Sequence, residues 1–235
     1  MDSIGSRHAP HTAVVRSVLR DELDRYPGRV LRVLDVGGGT GGFAVPLAEL
    51  GHRVTVIDAS PDALASLRRR AAEQGVADRI EAVQADADEI GKVAEPESVD
   101  LALCHAVLEV VDDVDAVAGA LATALRPGGV ASVLVAGRAG AVLSRALSGQ
   151  LADAARLVAA GRPRRFDAAG ARAVLERAGL RVEAIHGVRV FADLVGAAVA
   201  EEDPAALLEL ELAVAAEPPY RDIASQLHLL ARRPA

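Results

Sequence analysis

Residues 31–42 read Leu-Arg-Val-Leu-Asp-Val-Gly-Gly-Gly-Thr-Gly-Gly, and this stretch predicts the fold. Its first half is short and apolar without strict alternation, which is typical of a strand buried on both faces of a parallel sheet. Five glycines follow, and they let the backbone adopt left-handed conformations and let a ligand lie against the main chain. The apolar positions from Phe43 to Leu50 suit a helix. Strand, glycine turn and helix together predict a nucleotide-type cofactor site at the carboxyl end of a central strand.

The turn contains the pattern G-x-G-x-x-G at Gly37, Gly39 and Gly42, which dinucleotide-binding dehydrogenases share. Asp35 separates the two interpretations because it lies two residues before the first glycine. A carboxylate near the mouth of the turn would repel a diphosphate, but it would attract the sulfonium and ammonium groups of S-adenosylmethionine. In the alternative interpretation, Asp35 is a strand-end residue whose carboxylate accepts hydrogen bonds from the turn amides.

Asp58 is the second predicted cofactor residue. It directly follows a predicted strand over residues 53–57 and comes 23 residues after Asp35. An acid at the tip of the neighbouring strand can accept hydrogen bonds from both ribose hydroxyls of a nucleoside. Alternatively, Asp58 caps the helix that begins near Pro61, although Ser60 could do so instead.

Composition excludes several classes of protein. Hydrophobic residues make up 51% of the 235 residues, with two Tyr, three Phe and no Trp, so we expect an aliphatic core. A net charge of −7 leaves the surface as a whole without the positive footprint of a nucleic-acid-binding protein. The single Cys104 excludes an internal disulfide and fits a reducing cytoplasm. We see neither an apolar run long enough to span a membrane nor a signal peptide, and we expect no metal site.

The remaining pattern alternates strands and helices with short connections. We predict helices over 12–25, 61–74, 113–125, 167–178 and 204–216, and strands over 79–84, 99–103, 130–135, 180–185 and 223–230, with a tight turn at 126–129. This pattern predicts one α/β domain over 1–235. It has a Rossmann-like, doubly wound sheet of seven mostly parallel strands, an antiparallel last strand and helices on both faces. Residues 1–28 form an N-terminal helical cover, whose Arg16 either packs as a surface residue or reaches the carboxylate of the cofactor.

Other candidate residues follow the third and fourth strands. Asp86 or Asp88 can accept a hydrogen bond from an adenine amino group, or it can serve as a helix cap or lie in a solvated loop. His105 lies just past the fourth strand, where it is a candidate general base, although a lone histidine is more often structural. Residues 138–166 carry six arginines and one acid, a net charge of +5. This segment is either a basic lid for an anionic substrate or a solvated arginine-rich helix.

Three motifs together resemble those of the class I S-adenosylmethionine-dependent methyltransferases: Leu34–Gly41, Val56–Ser60 and Leu125–Val130. Four further segments, His105–Glu109, Gly187–Phe191, Ala206–Glu211 and Glu217–Tyr220, are similar to the tRNA carboxymethoxyuridine methyltransferases within that class. Those enzymes esterify the carboxylate of a modified wobble uridine. The resemblance implies a set of cofactor contacts at Arg16, Gly37, Gly38, Asp58, Ala87, Asp88 and His105, to which the motifs add Asp35, Gly39 and Ala59.

The resemblance implies a carboxylate acceptor, which needs a cation to hold it and no general base. The candidate cations are Arg164, Arg165 and Arg189. For a phenol, hydroxyl or amine acceptor, His105 is the candidate base. The acceptor is therefore either tRNA or an anionic small molecule. The alternative functions are an O- or N-methyltransferase of secondary metabolism, a nicotinamide-dependent oxidoreductase, and a protein that has kept the fold and lost the chemistry.

Overall fold

The structure, a computed structural model, describes residues 12–159, 164–195 and 197–235, without the side chains of 197–199. Seven strands form in chain order: β1 Arg32–Val36, β2 Arg53–Asp58, β3 Ile80–Gln84, β4 Val99–His105, β5 Leu125–Ala136, β6 Arg181–Val188 and β7 Gln226–Arg232. The helices are α1 Ala13–Leu23, α2 Ala44–Glu49, α3 Pro61–Glu73, α4 Ile90–Val93, α5 Val114–Ala124, α6 Arg138–Leu147, α7 Leu151–Ala159, α8 Ala168–Arg177, α9 Ala197–Glu202 and α10 Pro204–Val214.

The seven strands form one sheet in the order β3-β2-β1-β4-β5-β7-β6, with six strands parallel and the last antiparallel. This confirms the predicted fold class. β1 pairs with both β2 and β4, and Asp35 lies opposite Val56 on one side and Leu103 on the other. The strand order therefore reverses at β1, which is where open α/β sheets bind their ligands. The glycine turn follows β1 directly.

Local chemistry explains several element boundaries. α3 begins with Pro61 at its first position, and the Ser60 hydroxyl accepts a hydrogen bond from Ala63 N at 3.2 Å. Asp113 and Asp203 cap α5 and α10 in a similar way, because their carboxylates accept hydrogen bonds from the Ala116 and Ala206 amides at 2.9 Å. The buried core is almost entirely Val, Leu, Ile and Ala, as the composition predicted.

Several boundaries differ from the sequence prediction. β4 and β6 end at His105 and Val188, two and three residues later than expected, so His105 belongs to the fourth strand. The expected turn over 126–129 belongs to β5, because Gly128 N donates to Arg233 O and Arg233 N donates to Gly129 O, both at 2.9 Å. A local sequence pattern cannot predict this backbone pairing, because residue 233 is more than a hundred positions away. β7 begins at Gln226 rather than Ile223, since residues 221–223 form a 3-10 turn. The short helices α4 and α9 were not predicted.

The described chain forms two compact units. One comprises Pro27–Val133, Ala173–Glu183 and Leu230–Ala235, and it contains β1–β4 and the glycine turn. The other comprises the described part of Met1–Tyr26 together with Leu134–Arg172 and Ala184–Leu229. The single-domain organisation over 1–235 stays a prediction, and residues 1–11 of the expected N-terminal cover lie outside the described residues.

Within the basic segment 138–166, residues 138–159 form a helical hairpin of α6 and α7 in the second unit. Several of its charges are already partnered: Arg156 pairs with Asp153, and Arg138 lies 3.9 Å from Asp167. Arg145 donates to Gln150 Oε1 at 2.7 Å, and Arg162 lies outside the described residues. The hairpin thus offers less positive charge than the count of arginines suggests. In the described ranges, no helix has the length and apolar character needed to cross a bilayer.

Candidate functional site

The glycine turn after β1 has a backbone that side chains would disrupt. Gly37 and Gly39 adopt φ angles of +69° and +55°, in the left-handed region that favours glycine. A Cβ at Gly37 would overlap Val107 Cγ2, and one at Gly38 would lie 2.6 Å from Asp35 Oδ2. The turn is fastened to β2, because Gly37 N donates to Ile57 O at 2.7 Å. It therefore presents bare backbone, as the sequence predicted.

Asp35 lies directly beneath this turn and is only 2% exposed, rather than at its mouth. Its Oδ2 is buried without a hydrogen-bond partner among the described residues. Burial, reinforced by the nearby charge of Asp58, raises the pKa of Asp35 from 3.8 to about 7. An unpartnered carboxylate oxygen of this kind is costly unless a donor or a cation reaches it. Because Gly38 has no side chain, no Cβ stands against Asp35 Oδ2 on the side of the turn.

Asp58 is held at the end of β2 by two backbone amides. Its Oδ2 accepts from Gly39 N at 2.9 Å, and its Oδ1 accepts from Ser60 N at 2.8 Å. Ser60 itself caps α3, so Asp58 does not have to serve as that cap. An ionised carboxylate has about four acceptor positions, so two oxygens that each accept one amide can still receive two hydroxyl donors.

A cavity of about 700 Å³ opens beside the turn in the first unit. Its lining combines the ends of β1, β2 and β4 with the loops after β3 and β4: Gly37, Ile57, Asp58, Ala59, Ala85, Asp86, Ala87, Asp88, His105, Ala106, Val107, Val110, Val111, Asp112, Asp113 and Val117. The predicted residues Gly37, Asp58, Ala59, Ala87, Asp88 and His105 are thus brought together. Asp35, Gly38 and Gly39 are not in the lining.

His105 is the last residue of β4 and faces this cavity. Its Nε2 lies 2.9 Å from Ser132 Oγ, and its ring packs edge-on against Phe43 with centroids 4.7 Å apart. Burial lowers the pKa of His105 to about 4, although the contact with Ser132 opposes this change. The imidazole is therefore neutral at pH 7, and it is a weak base.

The valine-rich wall of the cavity was missed at the level of sequence. Val107, Val110, Val111 and Val117 form it, in and after the loop that follows β4. The apolar run after His105 was the available signal, but local periodicity cannot distinguish a cavity wall from core. Ala106 adopts φ +59°, which is strained for a residue with a side chain. This turn directs the chain from His105 into the wall.

The acidic loop after β3 forms a capped 3-10 turn over Ala87–Glu89 that continues into α4. Glu89 Oε2 accepts from Asp86 N at 3.1 Å, and Glu89 Oε1 accepts from Lys92 Nζ at 2.7 Å. Carboxylate oxygens of Asp86, Asp88 and Glu89 lie within 4.8 Å of one another, a spacing that could hold a cation. Both Glu89 oxygens already have donors, so these contacts explain the cluster without a metal. The absence of a metal site stays a prediction.

The remaining candidate residues lie in the second unit. Arg16 is buried on α1, and its Nε donates to Thr12 Oγ1 at 3.2 Å. Arg164 and Arg165 are half-buried before Phe166, which joins Gly137 in a β-bridge. Arg189 follows β6 and pairs with Asp193. Arg165 and Arg189 each keep a buried Nε without a described hydrogen-bond partner.

The first unit fits the expected cationic cofactor. The cavity lining supplies five carboxylates, Asp58, Asp86, Asp88, Asp112 and Asp113, and one imidazole that is neutral at pH 7. Beneath the turn, Asp35 adds a buried acceptor. This surplus of negative charge favours a sulfonium and an ammonium group and opposes a diphosphate. The arrangement therefore agrees with S-adenosylmethionine better than with a nicotinamide dinucleotide.

Comparisons with known proteins agree with this geometry. A family model described as a methyltransferase domain matches residues 33–129. The tRNA 5-carboxymethoxyuridine methyltransferase of Escherichia coli K12 is 33% identical over 234 residues, which cover 93% of this chain and 88% of that protein. A ubiquinone biosynthesis O-methyltransferase of Xanthomonas euvesicatoria is 35% identical over 162 residues, covering 67% of this chain and 65% of that protein. An S-adenosylmethionine-dependent methyltransferase structure from Mesorhizobium loti shares the fold. Its TM-score is 0.65 and its identity 23%, with 96% of this chain and 100% of that one covered.

Proposed function

Because this chain belongs to the class I S-adenosylmethionine-dependent methyltransferases, in the family of the tRNA 5-carboxymethoxyuridine methyltransferases, we propose that it methylates a carboxylate. The proposed acceptor is a modified wobble uridine of tRNA that bears this carboxylate. The family is a methyltransferase family, so the alternative of a nicotinamide-dependent oxidoreductase is set aside. The proposal concerns the acceptor, since methyl transfer is the activity of the family.

The state of His105 is the observation that carries the choice of a carboxylate. A phenol or hydroxyl acceptor must lose a proton, and a base helps most when its pKa lies near the working pH. His105 is the titratable group that the sequence offered for this role, and its pKa is about 4. A carboxylate is already ionised at neutral pH and needs no such base. An anionic acceptor therefore suits this histidine better than a neutral one.

Arg189 is the proposed partner of the acceptor carboxylate, with Arg164 and Arg165 as further candidates. A guanidinium offers five N–H donors, and Asp193 engages the Arg189 group through NH2. The Arg189 side chain is 33% exposed, so the N–H groups that Asp193 does not engage can donate to an anion. A charge-assisted pair of this kind orients the acceptor as well as binding it. Since in-line displacement depends on alignment, orientation is the main contribution expected of the protein.

The cofactor residues keep their proposed roles from the sequence. Asp35 would accept a hydrogen bond from the ammonium group of the cofactor, and Asp58 would accept hydrogen bonds from its ribose hydroxyls. Ala87 and Asp88 face the adenine, and Arg16 binds the cofactor carboxylate. When bound, the cofactor supplies a methyl group on a cationic sulfur. One C–O bond forms as the C–S bond breaks, the electron pair stays with sulfur, and no proton moves. We expect this reaction in the cytoplasm, where the buried thiol of Cys104 would stay reduced.

Radiolabelled methyl transfer into tRNA tests the proposal. Bulk tRNA from a strain that lacks this gene is incubated with the protein and methyl-labelled S-adenosylmethionine. We expect label in tRNA, and we expect mild alkali to release it as methanol, because a methyl ester hydrolyses whereas a methyl ether or methylamine does not. Binding of tRNA should weaken steeply as salt rises. Label in tRNA that resists alkali, or no label in tRNA at all, contradicts the proposal.

A small-molecule methyltransferase is the second candidate. The partnered arginines of the α6–α7 hairpin favour it, because they reduce the positive charge available to a polyanion. The same incubation with a low-molecular-weight extract selects this candidate if label enters the extract and tRNA stays unlabelled.

A further inference from the structure

Glu211 is a buried carboxylate to which the mechanism has so far assigned no role. It lies on α10 in the second unit and is 1% exposed. Three successive backbone amides donate to it: Val190 N to Oε2 at 2.9 Å, and Phe191 N and Ala192 N to Oε1 at 2.8 Å each. A carboxylate buried this deeply is costly unless such donors compensate it. The three bonds fix the backbone that directly follows Arg189.

Arg189 needs this support because its own backbone is strained. It adopts φ +59°, an uncommon conformation for a residue with a side chain, which persists only where neighbouring structure imposes it. On one side, the Arg189 carbonyl accepts from Ser225 N at 3.3 Å. On the other side, the next three amides are held by Glu211. The conformation of Arg189 is thus imposed by one hydrogen bond before the turn and three after it.

Only a carboxylate satisfies this arrangement. All three neighbours are N–H donors, and an ionised carboxylate is an acceptor at both oxygens. A glutamine would present an NH2 group to at least one amide, so a donor would face a donor and that amide would lose its bond. We therefore expect Glu211→Gln to loosen the segment 190–192 while retaining the volume of the side chain.

We propose that Glu211 is a positioning residue, which holds Arg189 in the orientation that binds the anionic group of the acceptor. This inference rests on the proposed function, since it gives Glu211 a role in acceptor affinity through Arg189. Substituting a residue that only stabilises the fold would weaken cofactor binding, acceptor binding and stability alike. Substituting a positioning residue raises the KM for the acceptor selectively.

The test compares Glu211→Gln with Glu209→Gln, an exposed change on the same helix. We expect Glu211→Gln to raise the KM for tRNA carrying 5-carboxymethoxyuridine by about ten- to a hundredfold, the scale of one lost charge-assisted hydrogen bond. The calorimetric Kd for S-adenosylmethionine should stay within about twofold, and Glu209→Gln should match the wild type in both. Hydrogen exchange at the amides of 190–192 should accelerate only in Glu211→Gln. An unchanged KM, or equal losses in both affinities, overturns the proposal.

A double-mutant cycle with Arg189→Ala separates this inference from the proposed function. If Glu211 acts through Arg189, adding Glu211→Gln to Arg189→Ala raises the acceptor KM no further. If the two substitutions instead raise the acceptor KM by independent factors that multiply in the double variant, a positioning role for Glu211 is contradicted. If Arg189→Ala leaves the acceptor KM unchanged, the role of Arg189 fails and the inference fails with it, whereas the alkali-labile label tests the reaction separately. If Glu211→Gln does not fold, Glu211→Asp replaces it, because it keeps the charge and withdraws the oxygens from the amides.

Discussion

Asp35→Asn is expected to stabilise the cofactor-free protein above pH 7, although it removes a proposed cofactor residue. Burial and the charge of Asp58 raise the pKa of Asp35 from 3.8 to about 7, so ionising it in the folded state is costly. At about 1.36 kcal/mol per pKa unit, the difference corresponds to roughly 4 kcal/mol. This figure is an upper limit, because solvent and local relaxation reduce the cost of a buried charge.

The sign follows from proton binding. Between pH 3.8 and about 7 the folded chain holds a proton on Asp35 that the unfolded chain has released. The contribution of this group to stability is therefore complete below pH 3.8 and is lost as the pH rises through about 7. Asparagine does not titrate and avoids the loss. The advantage of Asp35→Asn over the wild type should thus grow from pH 5 to pH 8 and then stop growing.

Urea denaturation at pH 5 and pH 8 without cofactor measures this difference. Asp62→Asn is the matched control, because Asp62 is exposed on α3, and this change should leave the pH dependence as in the wild type. Calorimetry of Asp35→Asn with S-adenosylmethionine should show a loss of about 2 kcal/mol or more, the cost of removing one partner of a buried charge pair. A variant less stable than the wild type at pH 8 would falsify the reasoning about the unpartnered oxygen. Unchanged cofactor affinity would remove Asp35 from the proposed cofactor contacts.

Three further outcomes are expected. A cation that reaches Asp35 lowers its pKa, so binding of S-adenosylmethionine at pH 7 should release a proton, and the measured enthalpy should vary with the ionisation enthalpy of the buffer. Gly37→Ala should weaken cofactor binding at least about tenfold, because its Cβ would overlap Val107, whereas Gly42→Ala, with open space around its Cβ, should retain it. The kcat for a carboxylate acceptor should stay flat from pH 5 to 8, since His105 titrates near 4; a step near pH 6.5 would contradict its neutral state.

Some elements of the fold and the site were predicted from the sequence, and others were not. The sequence predicted three features from the residue types of short segments: the buried run before Gly37, the positive φ angles of the turn and the position of Asp58 at the tip of β2. The start of β5 was predicted wrongly, because its first residues are held by Arg233, more than a hundred positions away. The basic segment 138–166 was read from its charge, but its ion pairs with Asp153 and Asp167 needed coordinates.

Gly137, directly after β5, is a position whose lack of a side chain only the tertiary structure explains. In the structure, a Cβ at Gly137 would overlap the Ala224 carbonyl, and Gly137 N donates to Ser225 O at 2.8 Å. Backbone from residues 224–225 therefore occupies the space in which a side chain would stand.

The sequence by itself determined the class of cofactor and the sheet that holds it, because a glycine turn between two acid-tipped strands is a local pattern with few other uses. The tertiary structure decided the protonation of the groups in that pattern. Asp35 and His105 are ordinary residues in the sequence, and their pKa values of about 7 and about 4 arise from burial. The three amides that converge on Glu211 come from a segment about twenty residues earlier in the chain. The burial that shifts these pKa values, and the meeting of three amides at one carboxylate, depend on which parts of the chain pack together. The amino-acid sequence alone does not show this packing.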